Sequence, residues 1–148
     1  PDCEVLMGTS TAGIAHAALV ADILNKPMGY VRGSNKSHGR QNRIEGVVRE
    51  GMKVVVVEDL ISTGGSSLEV VDALREAGCE VLGLVAIFTY GLKDSIKNFA
   101  DKDCHFVTLS NYDALLPVAV EHNYIKEEAL EKLKAWKVDP HDESWTIK

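Results

Sequence analysis

The stretch Val54–Ser67, VVVVEDLISTGGSS, constrains the fold of this chain more than any other. Four β-branched residues run directly into two carboxylates, then into a Ser/Thr/Gly loop, then into a helical pattern. A continuous apolar run is how a strand reads when both faces of a parallel sheet are covered. In open α/β sheets, ligands bind beyond the carboxyl ends of the strands. Glu58, Asp59 and the loop Ser62–Ser66 therefore stand where a ligand belongs. The loop offers backbone N–H groups, hydroxyls and a helix N-terminus, a combination suited to phosphate. The glycine pair Gly64-Gly65 permits close backbone approach to an anion. Carboxylates beside a phosphate repel it unless the ligand also presents hydroxyls for them to bind. A phosphorylated sugar satisfies both demands. The other reading is structural: the two acids cap the helix start or pair with a basic loop.

The surrounding pattern predicts a doubly wound α/β domain with a mainly parallel sheet and helices on both faces, spanning residues 1–148 as one unit. Strands are expected at Val5–Met7, Met28–Val31, Ile44–Val48, Lys53–Val57, Val81–Phe88 and, at an edge, Phe106–Leu109. Helices are expected at Ala12–Leu24, with Ile14, Ala17, Ala18 and Ala21 inward, and from an N-cap at Ser66 or Ser67 to Ala77, with Leu68, Val71 and Leu74 inward. Further helices are expected at Leu92–Phe99, Tyr112–His122 and Lys126–Trp136. Ala129, Leu130, Leu133 and Trp136 form a packing stripe on the last, and the tail Asp139–Lys148 is expected over the surface.

Two other segments carry chemistry. Gly8-Thr-Ser-Thr-Ala-Gly13 has the frame of a P-loop, but Ile14-Ala15 stand where Lys and Ser/Thr are required, so a Walker A site is excluded. A strand–loop–helix turn able to hold an anion remains, alongside a plain βα turn. Arg32–Arg43 is polar and carries Arg32, Lys36, Arg40, Arg43 and His38 without an acid. In a chain of net charge −6 that concentration is a local anomaly. It reads either as a solvated hairpin tip or as a mobile loop that brings charge to a polyphosphate, with His38 able to move a proton near neutral pH.

Several classes are excluded. The negative charge argues against a nucleic-acid or membrane-surface binder, and no apolar run reaches the roughly 18 residues of a membrane helix. Dinucleotide-binding GxGxxG and nucleophile-elbow GxSxG patterns are absent. Cys3, Cys79 and Cys104 lack metal or redox spacing and read as free thiols in a reducing compartment. His105 and His122 have no ligand-like partners and read as structural. A start at Pro1, a few residues before a strand, suggests processing or a fragment.

With these residues in place, Val54–Ser67 resembles the 5-phosphoribosyl-1-pyrophosphate (PRPP) signature of the type I phosphoribosyltransferases. Tyr30-Val-Arg32, Lys36-Ser-His38-Gly39 and Ile44-Glu-Gly46 resemble the catalytic loop of the orotate branch. Thr11–Ile14, Ala86–Gly91 and Trp136–Trp145 are similar to its bacterial members. The resemblance implies transfer of phosphoribose from PRPP to orotate, giving orotidine 5′-monophosphate and pyrophosphate in pyrimidine synthesis. It implies Mg²⁺ held mainly through PRPP and water, a cytoplasmic enzyme, and a homodimer whose Arg32–Arg43 loop reaches the neighbouring site. Glu58 and Asp59 would bind ribose hydroxyls. Leu60, Ile61, Ser62, Thr63, Gly64, Gly65 and Ser66 would bind PRPP, the loop Ser62–Ser66 holding its 5′-phosphate and Ser62 also touching orotate. Gly8–Gly13 would hold pyrophosphate, and Arg32, Lys36 and His38 would act on it as it leaves. Some members carry Lys at the positions of Ala12 and Gly33 and Arg at that of Tyr90. Members also carry a hood segment ahead of Val5, which is expected to be missing here. A purine phosphoribosyltransferase and a non-enzymatic PRPP sensor remain as alternatives.

Overall fold

The computed structural model describes residues 2–33 and 43–142. Six strands form one sheet: β1 (Val5–Thr9), β2 (Met28–Val31), β3 (Ile44–Glu45), β4 (Lys53–Ile61), β5 (Glu80–Thr89) and β6 (Phe106–Asn111). Their order is β3-β2-β1-β4-β5-β6. All neighbours are parallel except the β2–β3 pair. The helices are α1 (Ala12–Leu24), α2 (Gly65–Glu76), α3 (Lys93–Asp101), α4 (Tyr112–Glu121) and α5 (Leu130–Val138), the last preceded by a short 3₁₀ turn, Glu127–Ala129.

Strand alternation sorts the side chains into two layers. Val5, Met7, Val54, Val56 and Leu84 face Leu68, Val71 and Leu74 of α2 and Phe99 of α3. Leu6 and Val57 face Ala17 and Ala21 of α1 on the other side. The sheet is thus doubly wound, as expected. The contact face of α1 is the small-residue row Gly13–Ala17–Ala21. Ala18, expected inward, is exposed, because spacing by four places Gly13 rather than Ala18 on the row that meets the sheet. Gly13 has a specific reason to lack a side chain: a Cβ there would collide with the Thr9 hydroxyl and the Val57 carbonyl.

Other boundaries differ for identifiable reasons. β3 stops at Glu45 instead of Val48, since Gly46 turns the chain at φ +110° with its Cα face against Gly29. β4 runs past Val57 to Ile61, because Glu58, Leu60 and Ile61 stay in register with Ala86, Phe88 and Thr89 of β5. The N-cap of α2 is Gly64 at φ 82°, not Ser66 or Ser67. The stripe on the C-terminal helix packs as expected: Ala129, Leu130, Leu133 and Trp136 are half-buried. Trp136 meets Tyr90 edge-on and Tyr112 at a tilt, with ring centroids 5.3 and 5.4 Å apart. His105 and His122 are surface residues. The tail from residue 143 lies outside the described residues.

Candidate functional site

The strand order reverses between β1 and β4: the chain leaves β1 toward β2 on one side, and β4 toward β5 on the other. That reversal opens a crevice at the carboxyl edge of the sheet, the position where doubly wound folds bind ligands. A cleft of about 220 Å³ lies there. Its walls are the turn after β1 (Thr9–Ala12), the end of β2, Arg43, the Glu58–Leu60 end of β4 and the start of α2.

Glu58 sits at the centre and is 6% exposed. Its Oε1 accepts the Thr9 hydroxyl at 2.6 Å and the Asp59 N–H at 3.0 Å. Its Oε2 accepts the Ser67 hydroxyl at 2.8 Å. Burial pushes the Glu58 carboxyl above its ordinary value, the adjacent Asp59 carboxyl adds to this, and the Thr9 and Ser67 hydroxyls and the Asp59 N–H oppose it. Asp59 is half-buried and lines the same cleft.

The loop after β4 is short. Ser62 and Thr63 are exposed, Gly64 is buried against Phe99, and α2 begins at Gly65. The Asn98 amide of α3 donates to the Thr63 carbonyl at 3.0 Å and so pins the loop from outside. The first backbone N–H groups of α2 have no partner within the helix, so they remain available to an anion. Leu60 and Ile61 belong to the strand; the Ile61 side chain is fully buried. The Ile61 carbonyl accepts the Tyr90 N–H and the Thr89 hydroxyl, both at 3.2 Å.

The second turn is built differently. Ser10 Oγ donates to the Val31 carbonyl at 2.9 Å and accepts the Gly33 N–H at 3.0 Å, tying this turn to the end of β2. The Ser10–Thr11 peptide is cis. The ends of the basic segment are clasped: the Arg32 N–H donates to the Arg43 carbonyl at 2.8 Å, and Arg43 Nε donates back to the Arg32 carbonyl at 3.1 Å. Arg32 pairs with Glu45 at 3.2 Å and Arg43 with Glu69 at 3.7 Å. Lys36 and His38 lie outside the described residues. The structure therefore brings Glu58, Asp59, the Ser62–Ser66 loop, Gly8–Gly13 and the stem of the basic segment to one edge.

Thr9 beside Glu58 and Asn98 behind the loop were not singled out by the sequence, whereas Arg43 was read as part of the basic segment and Ser67 as a helix cap. Thr9 shares a face with Val5 and Met7, but its place beside Glu58 follows only once β1 is known to pair with β4. A second cleft of about 310 Å³ between α1 and β4–β6 is walled almost wholly by hydrocarbon, such as Leu19, Val85, Ile87 and Val107. Its polar lining is limited to His16, Glu58 and Thr108.

Residues 2–123 match the family described as "Phosphoribosyl transferase domain". The chain belongs to the phosphoribosyltransferase family. Within it, similarity runs to proteins named orotate phosphoribosyltransferase. That of Bacillus pumilus is 61% identical over 142 residues, covering 96% of this chain and 67% of the relative. That of Bacillus subtilis is 54% identical over 145 residues, covering 98% and 67%. Among solved structures, the orotate phosphoribosyltransferase of Aeropyrum pernix superposes with a TM-score of 0.71 at 30% identity, over 78% of this chain and 64% of that one. The UMP synthase of Leishmania donovani gives 0.77 at 27% identity, over 93% and 29%. The chain thus spans about two thirds of the length of these bacterial relatives.

Proposed function

We propose that this chain is the PRPP-binding core of an orotate phosphoribosyltransferase, and that it transfers phosphoribose from PRPP to orotate. One observation carries the reading: two carboxylates, Ser66 at the end of the phosphate-suited loop and a second anion-suited turn line one cleft at the β1–β4 reversal. Asp59 and one free position on Glu58 accept ribose hydroxyls, while the Ser62–Ser66 loop and the N-terminus of α2 hold the 5′-phosphate. Leu60 and Ile61 set the height of that loop as the last rungs of β4. Ser62 also reaches orotate. The Gly8–Gly13 turn faces pyrophosphate. The bond from the sugar's anomeric carbon to pyrophosphate oxygen breaks with its electron pair on pyrophosphate; a ring nitrogen of orotate bonds to that carbon and its N–H proton leaves to water or to the departing pyrophosphate. Charge grows on the leaving group, so Arg32, Lys36 and His38 act there.

Mg²⁺ suits the cleft as an ion carried by substrate. It keeps several waters and binds through one or two carboxylates plus phosphates, and Asp59 offers one half-buried carboxylate. When bound it neutralises charge on the departing pyrophosphate. A homodimer is part of the proposal, with the Arg32–Arg43 loop serving the neighbouring site. Leu19, Ile23, Val107 and Leu109, exposed by 54–85%, supply an apolar surface of the kind that marks protein contacts. No helix among the described residues is long and apolar enough to cross a membrane. Three free thiols support a cytoplasmic setting.

Adenine phosphoribosyltransferases also superpose on this chain, but at 18–20% identity, which speaks for the fold alone. The purine alternative is therefore not favoured, and neither is a non-enzymatic sensor. The test is turnover: incubation with PRPP, Mg²⁺ and each of orotate, adenine and xanthine. Orotidine 5′-monophosphate formation with orotate alone supports the reading; turnover of a purine and not orotate overturns it.

A further inference from the structure

The Glu58 carboxylate raises a question of capacity. An ionised carboxylate offers about four lone-pair positions. Three are occupied inside the protein: two on Oε1, by Thr9 and the Asp59 N–H, and one on Oε2, by Ser67. One position on Oε2 is left to a ligand.

The two hydroxyl donors are not local caps. Ser67 is the third residue of α2 and 1% exposed, yet its hydroxyl points to the strand rather than to its own helix. Thr9 is 4% exposed and lies 49 residues from Glu58 in sequence. Its hydroxyl is also within 3.3 Å of the Val57 carbonyl. Gly13 leaves the space Thr9 needs, since any side chain there would displace that hydroxyl. Because Glu58 is buried, the two hydroxyls satisfy its oxygens and, one on each oxygen, fix its orientation at the same time.

We propose that Thr9 and Ser67 are positioning residues that clamp Glu58 from opposite sides, fixing its single open Oε2 position toward a sugar hydroxyl and joining the turn after β1 to the start of α2. The clamp makes hydroxyl recognition by Glu58 depend on both anion-holding turns being in place. This rests on the reading of the cleft as a sugar-phosphate site.

The test uses two probes on this chain, ribose 5-phosphate and inorganic phosphate, with affinities from calorimetry. Phosphate reports the anion-holding turns; ribose 5-phosphate adds the hydroxyls. Thr9→Val and Ser67→Ala each weaken ribose 5-phosphate about tenfold, the loss of one well-oriented hydrogen bond to a charged group, and weaken phosphate by a clearly smaller factor. Thr9→Ser, which keeps the hydroxyl, restores ribose 5-phosphate affinity. Should Thr9→Val fail to fold, Ser67→Ala carries the comparison. Unchanged ribose 5-phosphate binding in Ser67→Ala overturns the clamp, as does an equal loss for both probes, which is the mark of a purely structural role. A wild-type chain that binds ribose 5-phosphate no better than phosphate overturns the sugar-phosphate reading itself, and the clamp with it.

Discussion

The adjacent glycines of the phosphate-suited loop are not equivalent, and substituting each by alanine separates backbone demand from ligand demand. Gly64 holds φ 82°, a left-handed conformation, and a Cβ on it would lie 2.5 Å from Phe99 Cε2 and 3.0 Å from Cδ2. Phe99 is 1% exposed and packed on Phe106 at 4.5 Å, so its ring has little room to retreat. The left-handed backbone costs a non-glycine residue about 1–2 kcal/mol, and overpacking a core adds about 1–3 kcal/mol. A combined loss near 3 kcal/mol lowers the melting temperature of a domain of this size by about 6–12 °C. Gly65 already lies in helix, and its Cβ would meet nothing nearer than Thr63 Oγ1 at 3.9 Å. Gly65→Ala should therefore melt at or slightly above the wild-type temperature, with a gain of up to ~1 kcal/mol from a less flexible unfolded chain. The same methyl crowds the exposed start of α2, so phosphate binding weakens in this variant. Scanning calorimetry gives the first quantity and a phosphate titration the second. Equal melting losses at the two positions, or a larger loss at Gly65, would refute the assignment of Gly64 as the strained turn.

Three further outcomes are expected. Folded Glu58 holds its proton above the ordinary 4.5, chiefly through burial, so the folded state binds more protons than the unfolded one from about that pH up to the raised value; stability falls as pH rises through the window. Glu58→Gln should flatten that fall, raise the melting temperature at neutral pH and weaken PRPP binding; an unchanged pH profile of melting contradicts the burial argument. Lys36→Ala should lower kcat far more than it raises the PRPP dissociation constant, since the proposed role is to stabilise departing pyrophosphate; equal effects on both would remove that role. Cys79 and Cys104 are buried, with burial pushing both thiols up, whereas Cys3 is half-buried. Iodoacetamide should modify Cys3 first, and equal labelling rates in the folded protein would contradict the packing described.

The sequence carried the layer architecture and most strand positions, because the signals there are local. Asn25 and Lys26-Pro27 punctuate the chain, so α1 and β2 begin and end where the pattern places them. The end of β4 was not legible. Its apolar run stops at Val57, yet the ladder continues to Ile61 because β5 runs equally far and because Thr9 and Ser67 supply donors that let a carboxylate stay in the strand. Ser66 and Ser67 resemble caps by composition, but the left-handed turn at Gly64 sets the helix start, and Ser67 spends its hydroxyl on the neighbouring layer. The inward face of α1 was read one position away from the glycine that makes close packing possible. The acids and the loop were legible as a site because they are contiguous. The roles of Thr9 and Asn98 were not, since they depend on sheet order and on contacts across 49 residues for Thr9 and 35 for Asn98.

The most direct test of the central claim, that PRPP occupies the cleft at the β1–β4 reversal, is amide chemical-shift mapping during titration with PRPP and Mg²⁺, repeated with Asp59→Asn. Shifts should concentrate at Thr9–Gly13 and Glu58–Ser66, with a much weaker titration in the variant and no loss of the folded spectrum. Shifts confined to the apolar cleft between α1 and β5–β6, or an unaltered titration in Asp59→Asn, would contradict the claim.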